Sequence, residues 1–150
     1  MPQISGRKLK KIREIELAVN KNLFIICAAI TSIAMVMAII GFLTRGAFPP
    51  PGMNFFYIGI LVIYSIHKEM LRWLGEKRVE RQGEWFVYSW IVLTVILYII
   101  NFLTKGYFSH SPESAPVESL RELTIITLEV CTIFILARLS KVIKISLEKK

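Results

Sequence analysis

Glu129 is the residue whose type and place could do chemistry. It stands in the middle of an apolar run of fifteen residues between Glu122 and Arg138. A charged side chain at the centre of a membrane helix costs roughly 2.5–3.5 kcal/mol on insertion scales, and an apolar medium favours the neutral acid over the carboxylate. A carboxyl at that depth can carry a proton or hold a cation. The plainer reading is a protonated acid that locks helices together through hydrogen bonds. Ser32, Tyr64, Thr94 and Thr132 fall at similar depth on four apolar stretches, so the spacing predicts a small polar layer around Glu129. No second acid or Arg shares that level.

The other reactive residue types point to little. His67 precedes Lys68 and lacks a second axial partner at its depth, because His110 lies in a distant loop. Two His and two Cys are too scattered for a zinc site. Cys27 and Cys131 read as small packing residues. All eleven acids are Glu, which weighs against EF-hand loops and Walker-B-type magnesium ligands. No Gly-rich phosphate loop, nucleophile elbow or Cys-x-x-Cys is present. The run Glu76-Lys77-Arg78-Val79-Glu80-Arg81 is mixed in sign and reads as a solvated helix end, not a nucleic-acid patch. The expectation is therefore no enzyme, no cofactor, no metal site and no nucleic-acid partner.

What must position Glu129 is membrane. Apolar residues make up 54% of the 150 residues, mean hydropathy is +0.54, and soluble domains run nearer 45–50% apolar. A hydrocarbon core of about 30 Å needs roughly 20 apolar residues per helix. Four spans are predicted, at residues 23–44, 53–74, 85–104 and 123–143, giving an all-α four-helix transmembrane bundle over 23–143. The first span is too long, and lies too far from the start, for a cleaved signal peptide. Residues 1–22 form a basic N-terminal segment and 144–150 a basic tail. In the second span, Lys68 and Arg72 are expected to snorkel toward headgroups.

Alternate sides of such a bundle hold 16 and 3 basic residues, which places both termini in the cytoplasm, in a plasma or inner membrane. Aromatic residues fall into two belts. Trp73, Trp85, Phe86, Tyr88 and Trp90 mark the inner one; Phe42, Phe48, Phe55, Phe56, Tyr98, Phe102, Tyr107 and Phe108 mark the outer one. Leu9, Ile12, Ile15 and Val19 recur at helical spacing among Lys and Arg. They predict a short amphipathic helix on an anionic inner leaflet, or else a solvated charged tail.

Packing is legible in stripes. Cys27, Thr31, Ala34, Ala38 and Gly41 recur at alternating spacings of four and three, and small residues in one line let helix backbones approach closely. The first helix is thus expected to be the most buried. Asn54, Tyr57, Leu61, Tyr64, Lys68 and Leu71 form a second stripe that should face the bundle. Trp90, Ile91, Leu93, Ile96 and Leu97 are read as mainly lipid-facing bulk.

Shifted by 60 positions, residues 39–48 match residues 99–108 at seven of ten places. This is either a duplicated helical hairpin, giving two tandem hairpins as a parallel repeat, or convergence on interface chemistry. Ser114 or Ser119 could cap the last helix, Ser119 with Glu122 as a capping box.

Three functions follow. The first is a non-enzymatic membrane protein acting through helix–helix interaction, as a homo-oligomer or an accessory subunit. The second is a small transporter or channel using Glu129. The third is a holin-like pore former.

Overall fold

The computed structural model describes residues 6–47, 52–74, 83–110 and 116–148. Pro49, Pro50, Ser114 and the mixed-charge run 76–81 lie outside them. Four long helices account for most of the chain: α1 (Gly6–Leu43), α2 (Met53–Trp73), α3 (Glu84–Leu103) and α4 (Ser119–Glu148), with a short 3-10 turn at Tyr107–Ser109. No strand occurs among the described residues; one isolated bridge, His110 to Pro116, closes the loop before α4.

Three helices contain segments long and apolar enough to cross a membrane: Lys11–Leu43, Glu84–Leu103 and Ser119–Leu147. α2 is long enough at 21 residues but not apolar enough, because His67, Lys68, Glu69 and Arg72 crowd into its last two turns.

α1 is unbroken for 38 residues, about 57 Å at 1.5 Å per residue. The amphipathic segment predicted at its start is not a separate helix but the first turns of α1, since no Gly or Pro interrupts the chain between Arg7 and Gly41. Ile12, Ile15 and Val19 are exposed there. α4 likewise runs on through most of the predicted tail.

α1 and α3 end in the same turn. Gly46 N–H donates to Gly41 O at 2.9 Å, and Gly106 N–H donates to Asn101 O at 2.8 Å. Thr44 and Thr104 hydroxyls donate back to Ile40 O and Ile100 O. Arg45 and Lys105 each take a left-handed φ, as do Gly46 and Gly106. The seven-of-ten match therefore encodes a repeated glycine C-cap, which satisfies carbonyls that a helix end leaves open. The two turns touch: Phe42 stacks on Phe108 at 4.7 Å. Arg45 lies 4.4 Å over the Tyr107 ring and donates to His110 O. Ser119 Oγ makes no hydrogen bond, so the expected capping box does not form.

The main seams are α1–α2, α2–α4 and α3–α4. α1 packs closely along one neighbour; α2 and α4 each pack along two. The expectation that α1 is most buried fails for that reason. On α1, Cys27, Thr31, Ala34 and Gly41 are buried and Ala38 is partly so. Tyr57, Leu61, Tyr64, Lys68 and Leu71 face inward on α2. α3 overturns the bulk reading. Of the five residues read as lipid-facing, Trp90, Leu93 and Leu97 are buried, together with Phe86, while Ile91 and Ile96 are exposed. The spacing of these four buried residues, four, three and four, is a helix-packing stripe, so position on the helix outweighs residue size. Phe42, Phe86 and Trp90, read as belt residues, belong to the core.

Candidate functional site

Several polar side chains bond to each other where two helices meet. Trp90 on α3 donates its indole N–H to Tyr57 Oη on α2 at 2.7 Å, with the rings 5.6 Å apart. Between α3 and α4, Thr94 and Thr127 hydroxyls are 2.7 Å apart, and Tyr98 and Thr124 hydroxyls 2.8 Å apart. These two pairs stack because residues 94 and 98 are one turn apart on α3 while 127 and 124 are one turn apart on antiparallel α4.

The five predicted site residues are not gathered. Tyr64 is buried against Phe24 and Phe86. Thr94 bonds Thr127. Ser32 is exposed and returns its hydroxyl to Ala28 O, and Thr132 is exposed and bonds Leu128 O of its own helix. Glu129 is exposed on α4, with no hydrogen bond or ion pair to any described residue. Its direction follows from helix geometry. Leu120, Leu123, Ile126, Thr127 and Val130 form the buried face of α4, and Glu129 lies two residues from Thr127, about 200° around the axis. Equal depth does not imply a shared face.

A second polar group lies at the basic end of the bundle, where α2 was expected to reach outward. Arg72 and Lys68 are instead buried at 8% exposure. Arg72 pairs with Glu69 at 2.5 Å and approaches Ala137 O at 3.4 Å, while Lys144 donates to Arg72 O at 2.6 Å. The flanking helices join the same layer. Glu16 bonds His67 at 3.0 Å, Arg138 pairs with Glu84, and Trp73 donates to Ser140 Oγ at 3.1 Å. Long side chains here find carboxylates and carbonyls within the protein, which replaces the hydration that snorkelling would supply. Beside this layer an open, mostly apolar groove of about 720 Å³ separates α2 from α4, lined by Val62, Ile66, Met70, Ile133, Leu136 and Ala137 among others.

Among the described residues no three His, Cys, Asp or Glu side chains come together to hold a metal ion. What the arrangement does is hold helices: each seam carries hydroxyl, indole or charged pairs. Sequence reasoning missed Trp90, Thr127 and Thr124 as members of this set. The signal was the spacing of α3 and α4 side chains at three and four, which marks their inward faces. Comparison with protein-family models, curated proteins and solved structures finds no match for this chain.

Proposed function

We propose that the chain is a four-span, non-enzymatic membrane protein that works through helix–helix interaction, as a homo-oligomer or an accessory subunit of a larger membrane complex. α2 serves as the fourth span, its Arg72 paired with Glu69 and placed near the Ala137 carbonyl of α4. Both termini face the cytoplasm, where sixteen basic residues meet an anionic inner leaflet.

One observation carries this reading. Tyr57 and Trp90, and Thr94 and Thr127, bond between helices inside the bundle, while Glu129, the carboxyl in the middle of a span, is exposed. A side chain so costly in lipid is explained by a contact outside the single chain. The test is purification of tagged wild type and Glu129→Gln from the source cell in mild detergent. The expected result is an assembly larger than one chain, kept by the Gln variant. Proton or cation flux in liposomes that Glu129→Gln abolishes would overturn the reading in favour of a transporter or channel.

A further inference from the structure

The groove between α2 and α4 differs from the other apolar surfaces of the bundle in its length and in what stands at its end. Its walls run from Val62 to Trp73 on α2 and from Ile133 to Ser140 on α4, enclosing about 720 Å³. The α2 wall is about 16 Å long at 1.5 Å per residue. That is half of a hydrocarbon core of about 30 Å, the depth of one leaflet. The exposed apolar residues of α1, from Ile25 to Leu43, and of α3, from Trp85 to Leu103, instead run the length of a span.

The end of the groove is closed by a polar bond and then by charge. Trp73 donates its indole N–H to Ser140 Oγ at 3.1 Å, joining the two walls. Ile133, Ala137, Ser140 and Lys144 follow at spacings of four, three and four, so Lys144 stands one turn past Ser140 on the same face of α4. Its ammonium donates to Arg72 O at 2.6 Å, which fixes it between the two helices beside Trp73. Residues 67–84 and 137–144 together hold eight basic residues against four Glu, so this end of the groove is net positive. Lys68 and Arg72 are buried there, and a buried charge is screened little by salt and water.

An apolar trough one leaflet deep, ending in an excess of cations, is complementary to a molecule with an acyl tail and a negative head. A soluble anion would leave the apolar walls unused, and a lipid of zero net charge would leave the cationic excess unanswered.

We propose that the groove binds one anionic phospholipid of the inner leaflet, with an acyl chain between α2 and α4 and its phosphate at Lys144. The inference rests on reading α2 as a membrane span with its basic end toward the cytoplasm. Trp73 belongs to the site on the same grounds, since an indole with one apolar and one polar edge suits the level where tail meets headgroup.

The test reads the fluorescence of Trp73 in the full chain carrying Trp85→Phe and Trp90→Phe. The protein is reconstituted in phosphatidylcholine vesicles in which a rising share of the lipid is brominated phosphatidylglycerol or brominated phosphatidylcholine, whose bromines quench an indole on contact. The anionic lipid should quench at a roughly fivefold lower share, the effect of one basic group near a headgroup. Lys144→Gln should bring the two lipids within about twofold of each other. Lys11→Gln removes an exposed cation of α1 outside the groove and should leave the preference in place, and excess inorganic phosphate should not relieve the quenching. Equal quenching by the two lipids in the parent chain, or a preference that survives Lys144→Gln, would overturn the site. So would an equal loss in Lys11→Gln, which would mean a diffuse surface charge, or relief by phosphate, which would mean a soluble anion. All four outcomes leave α2 in the bilayer. Quenching of Trp73 by neither lipid would place that end of α2 outside the bilayer and overturn the span reading as well.

Discussion

The indole N–H of Trp90 reaches the hydroxyl of Tyr57 across the α2–α3 contact at 2.7 Å, and both side chains are fully buried. It is a polar bond made by two large, mostly apolar rings, so it adds direction to a contact that dispersion alone would leave free to slide. Trp90→Phe should keep most of the packing and lose the bond, lowering stability by about 0.6–1.7 kcal/mol. Trp90→Ala should cost roughly 3–5 kcal/mol because a cavity replaces the ring. Thermal unfolding in detergent distinguishes the two; equal losses would mean the hydrogen bond carries the site.

Thr94 and Thr127 should be coupled. Thr94→Val and Thr127→Val each break the same interhelical contact, so the double variant should be less destabilised than the sum of the singles. The expected interaction energy is about 0.6 kcal/mol, the average for such bonds in membranes. Additive losses in a denaturant titration would show that each hydroxyl is satisfied by its own helix.

The two matching turns should respond differently to the same substitution. Gly46 and Gly106 share a left-handed φ, and a non-glycine residue there costs about 1–2 kcal/mol. A Cβ at Gly46 would also meet Val117 Cγ1 at 2.9 Å, whereas nothing lies within 4 Å at Gly106. Gly46→Ala is therefore expected to lower the melting temperature more than Gly106→Ala. Adding Val117→Ala should recover part of the difference, and no recovery would place the loss in the backbone alone.

Ala34 is buried and Ile33 exposed on the same helix. Ala34→Leu should push α1 off its neighbours, at roughly 1–3 kcal/mol by analogy with overpacked cores. Ile33→Leu and Val36→Leu should be mild. Four comparable melting curves, wild type included, would show that this side of α1 is not an interface.

Orientation is open to direct labelling. In a chain freed of Cys27 and Cys131, a cysteine at exposed Lys105 should react with an impermeant thiol reagent in intact cells. One at exposed Ser146 should react only after permeabilisation. The opposite pattern would reverse the assignment of sides made from the basic residues.

The sequence by itself determined what local physics and composition control. All four stretches are helical, though only three carry segments apolar enough to cross a membrane, and the match of Ile39–Phe48 to Ile99–Phe108, read as a duplicated hairpin or as interface convergence, includes a glycine C-cap written in contiguous residues. The inward faces of α1 and α2 could be read from spacings of three and four. Only the tertiary structure decided which polar residues meet. Depth along each span suggested Ser32, Tyr64, Thr94 and Thr132 as one layer with Glu129, but depth fixes one coordinate of a side chain and rotation about the helix axis fixes the other. That rotation is set by packing: with Trp90 bonded to Tyr57 and Thr127 to Thr94, α4 has its inward face assigned and Glu129 must point out. Lys68 and Arg72 follow the same rule. Charge alone sent them toward headgroups, whereas Arg72 meets the carboxylate of Glu69 and the Ala137 carbonyl of α4, and Lys68 is buried one turn away.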